Sequence, residues 1–419
     1  MADPYPIRPV TEDEFDAFSL VDQHAFNDGP LAPERRARAW RMTEPDRTLA
    51  AFDGSLIVGT AGAYSFQFSV PGAVVPAAGV SLVSVLPTHR RRGVLRSMMR
   101  RQLSDIAARG EPLAALWASE SVLYGRYGYG KASWHATFTV RQGEGTLAAD
   151  APRDPSLTLS LRDPQDARPE LEKVFETVLR SRPGLFARSE DWWHRRLYDP
   201  ASERGGRSPL RCLVAADEAG ARGYALYSGR AEWDEDTFLP NGSIEVRELN
   251  AADPAAGAAL WESLLSRDLT GKVKAWLRPA DDPLLFQLAD SRRLRPQIAD
   301  GLWVRLVDVP AALSARAYAA PVDVVLEVRD DLLPANAARW RLTTEPASAV
   351  ATVTARCAPT SDMPDISVDV SELGAAYLGG TSLGSLAAAG LVTEHRPGAV
   401  TGLSAAMSWS PSPWCPMIF

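Results

Sequence analysis

The chain has 419 residues, 46% of them hydrophobic and 23% charged, and a formal net charge of -7, the composition of a globular protein long enough for about two or three domains with cores of their own. The acidic balance excludes a protein built to lie on nucleic acid, no apolar run reaches the roughly 20 residues of a membrane span, and no stretch reads as a signal peptide. Cys212, Cys357 and Cys415 are far apart and in no metal spacing, and none of the five histidines pairs at i,i+4, so we expect free thiols in the cytoplasm and no metal site.

In chain order, "VTEDEFDAFSLVDQHAF" predicts a helix, with Thr11 and Glu14 in capping-box spacing and Phe15, Phe18, Leu20 and Val21 recurring at near-helical spacing. A second helix is expected at "PERRARAWRM". The runs "RTLAAFDG", "LIVGTAGAYSFQFSV" and "AAGVSLVSVL" predict an antiparallel meander. A helix from Gly93 to Ala108 should stop at Gly110, and "PLAALWASE" should be a buried strand. Residues 142–169, rich in Asp, Pro, Gly and Ser, read as a linker. The same order of elements then returns: helices at "ELEKVFETVLRSRPG" and "SEDWWHRRLYDP", strands at "LRCLVAAD", "GYALYSGRAE" and "SIEVRELNA", the helix "PAAGAALWESLLSRD" and the strand "KVKAWLRP". The expectation is a degenerate tandem repeat. A third, α+β domain follows, with strands at "LWVRLVDV", "DVVLEVRD", "RWRLTTE" and "ISVDVSEL" and a small-residue segment before the end.

One turn in the first repeat carries chemistry. In "VSLVSVLPTHRRRGVLR" a strand runs through Pro87 into a helix start. The unpaired N–H groups and partial positive charge of a helix start suit a phosphate. Arg90, Arg91 and Arg92 add positive charge there, and Gly93 lets the backbone approach an anion closely. A solvated basic helix start remains the alternative for these residues alone. Nucleic acid is disfavoured, because the aromatic interleaving of a single-strand binder is missing. Shortly after the next strand, "LYGRYGYG" brings Tyr124 just ahead of Gly125 and Gly128. The second repeat has "NAADPAAGAAL" in place of the arginine–glycine turn.

Val85, Pro87, Arg90 and Gly93 together resemble the acetyl-CoA motif V-x-P-x-x-[RQ]-x-x-G-x-[GA] of the Gcn5-related N-acetyltransferase (GNAT) superfamily, with Leu95 departing at its last position. Tyr124, Gly128 and Tyr129 match the later Y-x-x-x-G-[YF] segment. Over nearly the whole chain, "PTHRRRG", "LYGRYGYG", "DWWHRRLYDP", "YLGG" and an aromatic last residue resemble the enhanced intracellular survival (Eis) proteins of actinobacteria. The resemblance implies an α/β (α+β) architecture of two tandem GNAT domains, over 1–145 and 146–300, and a sterol-carrier-protein-like domain over 301–419 that delivers the C-terminal carboxylate. It also implies a homohexamer.

The implied reaction is direct acetyl transfer from acetyl-CoA to primary amines of an aminoglycoside or another polyamine, at several positions in one substrate. Such a reaction needs a base for the ammonium, an oxyanion donor and a proton donor for the departing thiolate. The resemblance places the backbone of Val83, Ser84 and Val85 on the pantetheine and thioester. It places the pyrophosphate on Arg91, Arg92, Gly93, Val94, Leu95 and Arg96, with Arg90 beside them, and makes Ser119 and Glu120 further cofactor contacts. Tyr124 is then the general acid, protonated at neutral pH, with Tyr127 and Tyr129 as packing neighbours. The α-carboxylate of Phe419 is the implied base, or it orients the amine while water relays the proton. The uncharged, aromatic run "SWSPSPWCPMIF" argues against a frayed end. Asp28, Trp40 and Leu82, with Phe26, are expected to bound the acceptor pocket. Two other readings stay open: an acyltransferase acting on protein lysine or peptide amines, as the twin GNAT domains of N-myristoyltransferases would allow, and a non-catalytic lipid- or partner-binding protein.

Overall fold

The structure is a computed structural model that describes residues 5–344 and 355–419. After β1 (Ile7–Arg8) come α1 (Phe15–Phe26) and α2 (Pro33–Met42). The capping box forms as read, the Thr11 N–H donating to Glu14 Oε2 at 3.1 Å, and Pro33 occupies the first turn of α2, where a missing N–H costs nothing. The meander is β2 (Leu49–Asp53), β3 (Leu56–Val70) and β4 (Ala73–Val85), followed by α3 (Val94–Ala108), β5 (Leu113–Trp117), α4 (Ser121–Tyr124) and β6 (Gly130–Lys131).

The second cycle holds β7 (Trp134–Arg141), β8 (Thr158–Arg162), α5 (Arg168–Ser181), α6 (Glu190–Leu197), β9 (Arg211–Asp217), β10 (Gly220–Arg230), β11 (Ser243–Ala251), α7 (Pro254–Leu265), β12 (Lys272–Pro279), α8 (Leu284–Gln287) and β13 (Gln297–Asp300). The expected linker therefore contains β8. It is exposed along its length and, among the described residues, pairs with β9 alone, which is why its sequence lacks a buried face. The remainder comprises β14 (Leu302–Leu306), α9 (Val309–Ala315), β15 (Asp323–Arg329), β16 (Arg339–Thr344), β17 (Ala355–Pro359), β18 (Ile366–Asp369), α10 (Val370–Ala376), α11 (Leu383–Ala388), β19 (Val392–Glu394) and α12 (Ala399–Met407). Glu345, the last residue of the strand expected at "RWRLTTE", lies outside the described residues. The strand read at "ISVDVSEL" stops at Asp369, whose side chain accepts the Ser371 N–H and caps α10.

The strands form three sheets, in the orders β1-β2-β3-β4-β5-β14-β6, β13-β7-β12-β11-β10-β9-β8 and β17-β16-β15-β18-β19. In the first, β4 and β5 are parallel and β14 is antiparallel to β5; in the second, β11 and β12 are parallel and β7 is antiparallel to β12. The two sheets thus repeat one plan, but each takes in one strand from outside the segment it was read from. "LWVRLVDV", read as the start of the third domain, contributes β14 to the first sheet, and β7, which falls inside 1–145, belongs to the second. Periodicity identifies a strand without naming its partner, so this exchange left no local mark.

By contacts the chain divides into two compact units: Met1–Ala132 with Leu302–Trp409 and Ile418–Phe419, and Ser133–Gly301 with Ser410–Met417. Within the first unit, Phe15, Phe18 and Val21 of α1 pack with Ala50, Phe52 and Ile57. Met99, Leu103 and Ile106 of α3 pack with Val80, Leu116 and a tyrosine cluster, Tyr124, Tyr127 and Tyr129. Within the second, α5 and α6 bury Phe175, Val178 and Trp193 with Val214, Tyr224 and Trp414, while α7 buries Leu260, Trp261 and Leu264 with Leu213, Ile244 and Val273.

Candidate active site

The site begins where β4 leaves β5. Their parallel pairing covers only Ala77 to Gly79 against Leu113 to Ala115, while β4 runs on to Val85. Pairing of β4 with β3 shifts register between Gly62 and Thr60, and Leu82 in that bulge has φ of 56°. A non-glycine residue in the left-handed region costs about 1–2 kcal/mol, and such strain persists where the surroundings enforce it. Here Thr60 Oγ1 donates to the Leu82 carbonyl at 2.9 Å and Leu82 packs beside the Phe15–Phe18 core. The bulge leaves the backbone of the last β4 residues without ladder partners toward β5.

A cleft of 1010 Å³ opens along that edge, at the upper end of ordinary ligand pockets, roughly 300–1,000 Å³. Val83, Ser84 and Val85 line one side and Arg90, Arg91, Gly93, Val94, Leu95 and Arg96 the next; Ser119, Glu120 and Tyr124 also line it. The side chains of Arg90, Arg91, Arg92 and Arg96 make no ion pair or hydrogen bond among the described residues; Arg92 is exposed and lies outside the lining. Gly93 caps α3 with φ of 87°, and a Cβ built there would meet nothing within 4 Å. No side chain caps this helix. A helix start with its N–H groups open, beside guanidinium groups without an ion pair among the described residues, is suited to an anion.

Tyr124 ends α4 and is 6% exposed. Burial, with smaller contributions from Tyr127 and Glu120, pushes its phenol up to about 12. Its ring meets the fully buried Tyr129 edge-on, with centroids 6.0 Å apart, and its hydroxyl has no hydrogen-bond partner among the described residues. Gly128 closes this turn with φ of 80°; a Cβ there would lie 2.7 Å from Arg305 Nε.

Phe419, the last residue of the sequence, lies against β4. The Ser81 hydroxyl donates to the Phe419 main-chain oxygen at 2.9 Å, and the Phe419 ring packs against Phe66 at 5.2 Å. Gly79 makes room for both rings: a Cβ there would come within 2.2 Å of Phe66 and 3.2 Å of Phe419. Trp414, Cys415, Met417 and Phe419 are buried, as the composition of the tail led us to expect, and Ile418 is 40% exposed.

The three residues read as acceptor contacts do not line this cleft. Leu82 turns into the N-terminal core, Trp40 packs on Phe15 at 5.1 Å, and Asp28 is exposed beyond the end of α1. Phe26 does line it. The sequence reading missed Asp22, whose carboxylate accepts from Ser84 Oγ at 2.7 Å and whose pKa is raised by burial. It missed His89, Leu123 and Arg126, and also Asp331 and Leu332, which reach the cleft from more than 200 residues away in sequence.

Residues 6–132 and 184–306 each match a family described as an acetyltransferase (GNAT) domain, and 309–416 match a sterol carrier protein domain. An uncharacterized N-acetyltransferase of Streptomyces avermitilis is 44% identical over 98% of both chains. The N-acetyltransferase Eis of Mycobacterium tuberculosis is 36% identical over 90% of both. The crystal structure of Eis1 from Mycobacterium abscessus, 34% identical, superimposes with a TM-score of 0.81 over 99% of this chain and all of that one. With two GNAT domains, a sterol carrier protein domain and a cleft at the end of a splayed β4, the chain belongs to the Eis family of GNAT N-acetyltransferases.

Proposed function

We propose that this N-acetyltransferase moves the acetyl group of acetyl-CoA, the donor that GNAT domains use, to primary amines of aminoglycosides, at more than one position, with Tyr124 as general acid and the Phe419 α-carboxylate as base. The observation that carries the reading is that the end of β4 serves a cleft with unpaired guanidinium groups and an unpartnered phenol, and holds the last residue of the chain at Ser81.

The residues present fit the donor. The N–H groups of Val94, Leu95 and Arg96, at the open start of α3, with Arg90, Arg91 and Arg96, would hold its pyrophosphate, Arg92 adding charge from outside the lining. The free edge of Val83, Ser84 and Val85 would hold its pantetheine arm, with Ser119 and Glu120 at the cleft wall. When bound, the donor supplies an activated acyl group. The β4 backbone N–H groups then hold the acyl oxygen. The Phe419 carboxylate accepts the proton of the acceptor ammonium, directly or through water, so that the neutral amine attacks the carbonyl carbon; the C–S bond breaks as the C–N bond forms, and the second proton of the nitrogen passes to the departing thiolate to give the amide and CoA thiol. Tyr124 hydrogen-bonds the departing sulfur. With a phenol pushed up to about 12 and a thiol near 8.5, complete transfer would be uphill by about 5 kcal/mol, so the hydroxyl stabilises the thiolate mainly as a donor. Asp28 and Trp40 are proposed on the acceptor side, Leu82 behind it. The enzyme works in the cytoplasm, where acetyl-CoA is made, as a homohexamer.

The test is release of CoA thiol from acetyl-CoA in the presence of a multi-amine aminoglycoside, using protein with nothing appended after Phe419. Release above the hydrolysis blank is expected. Appending residues after Phe419 should cut turnover roughly 10²-fold or more with acetyl-CoA still bound; an undiminished rate would remove the base assignment. Tight acetyl-CoA binding without release would instead point to a peptide or protein amine as acceptor.

A further inference from the structure

The sterol-carrier domain reaches the cleft at one place. Asp331 and Leu332 follow β15 and line the same cavity as Val83, Arg91 and Tyr124. Leu332 is 7% exposed and belongs to the apolar cluster that buries Tyr124, Tyr127 and Tyr129.

The loop carrying them is built rigidly. Asp330 accepts from the N–H groups of Leu332 and Leu333 at 3.1 and 3.0 Å, and the Asn336 side chain donates to its other oxygen at 2.9 Å. Arg305 of β14 donates to both Asp330 oxygens at 2.7 and 2.6 Å, with the two side chains 0% and 2% exposed. A buried charge pair is retained where breaking it would strand a charge. The same guanidinium lies against Gly128, four residues after Tyr124, where no Cβ would fit. Arg305 therefore ties the loop at 330–333 to the turn that carries the phenol.

We infer that the sterol-carrier domain sets the position of the Tyr124 phenol, with Leu332 as a positioning residue clamped in place by the Arg305–Asp330 pair. The inference rests on Tyr124 being the hydrogen-bond donor to the departing sulfur proposed above. It gives the third domain a part in the coenzyme cleft that is separate from the course of the chain to Phe419. A phenol with no hydrogen-bond partner among the described residues is oriented by the packing around it, so its aim depends on the apolar wall behind it. Misplacement by about 1 Å is enough to cost up to 10²-fold in rate.

The first readout needs no acceptor. With 3-fluorotyrosine in place of Tyr124, the fluorine NMR signal should move or split in Leu332→Ala and return to its original position in Leu332→Met, which restores the volume. The second is a double-mutant cycle on turnover of the aminoglycoside by the full chain. Leu332→Ala should lower kcat roughly 10-fold alone and less than 2-fold on a Tyr124→Phe background, with acetyl-CoA affinity within 2-fold of the unmodified enzyme. An unmoved fluorine signal, or equal losses on both backgrounds, overturns the inference. Unimpaired turnover by Tyr124→Phe alone overturns it together with the reading of Tyr124. An unmodified enzyme that turns over no aminoglycoside strikes only the acceptor assignment, and the fluorine signal then decides.

Discussion

The ends of β4 and β11 are two versions of one device, and they have diverged in opposite directions. Each strand pairs in parallel with its neighbour for a few residues, Ala77–Gly79 with β5 and Ser243–Val246 with β12, and then departs from it. Each breaks register with the strand on its other side, at Leu82 and Val83 in β4 and at Arg247 in β11. Past the β4 departure lies a 1010 Å³ cleft whose arginines make no ion pair among the described residues. Past the β11 departure only 220 Å³ remain, because the chain's own side chains fill the space. Arg278 donates to the Leu249 carbonyl at 2.8 Å and pairs with Asp282 at 2.7 Å; the Trp414 indole donates to the Leu277 carbonyl at 2.5 Å. The helix starts differ too. Gly93 leaves α3 open, whereas Asp253 places a carboxylate on the first N–H groups of α7. What separates the two helix starts is whether the protein itself already supplies a carboxylate there.

Emptying the second cleft is the largest expected perturbation. Trp414 is 3% exposed, its N–H donates to the Pro183 carbonyl, and Gly184, with φ of 98°, has Trp414 backbone atoms where its Cβ would be. Trp414→Ala should lower stability by about 3–5 kcal/mol, read as a denaturation midpoint. The hollow should gain no affinity for acetyl-CoA in calorimetry, since the Asp253 carboxylate still occupies the start of α7. Measurable binding there would mean that the tail, and not the carboxylate, is what closed the second site.

The converse change writes the second site's chemistry into the first. Gly93→Asp brings a carboxylate to the open start of α3 and forces a side chain into the left-handed region. Like charge facing a pyrophosphate costs several kcal/mol, so acetyl-CoA affinity should fall by about 3 kcal/mol, roughly 10²-fold, with the fold retained. Gly93→Ala separates the two terms, since it adds the backbone strain without the charge. If alanine alone reproduces the loss, backbone conformation decides the site and the electrostatic half of the comparison fails.

Much of this contrast could be read in the linear sequence, and the part that could not has a common cause. The two cycles, the Arg90–Gly93 turn and its replacement by "NAADPAAG" are local patterns, so helix, strand and turn chemistry made them visible. Tyr124 and the buried tail followed from motif spacing and composition. What stayed hidden was partnership across sequence: the strands exchanged at β7 and β14, Asp22 on Ser84, Leu332 in the cleft wall, and Trp414 in the second cleft. Leu82, expected to help bound the acceptor pocket, sits in a bulge with a positive φ and packs beside the N-terminal core, a backbone feature that leaves no mark in the linear sequence.

The pH profile isolates Tyr124 from the arginines around it. A phenol pushed up to about 12 by burial keeps its proton through the neutral and mildly alkaline range, so its donor function should be complete below that value and lost only as pH rises through it. Turnover by the unmodified enzyme should therefore show no basic limb from this group up to about pH 10. A descending limb near pH 8–9 that is absent in Tyr124→Phe would mean that the phenol titrates far lower than its burial dictates.

The smallest expected effect tests whether the second helix start retains any role of its own. Asp253 accepts from the Ala255 and Ala256 N–H groups at 3.0 Å each and is held by Arg222 at 2.8 Å. Arg222 also contacts Asp154 and Asp217, so its charge stays compensated when Asp253 is removed. Asp253→Ala should then cost only the cap, about 1 kcal/mol, with turnover and acetyl-CoA affinity unchanged. Asp253→Asn, which keeps an acceptor for the helix and discards the charge, should recover most of that loss. If the asparagine variant is as unstable as alanine, the carboxylate is needed for its charge beside Arg222, and the start of α7 is an ion-pair site. If either variant binds inorganic phosphate where the parent protein does not, the carboxylate has been standing in for the very anion that α3 leaves room for.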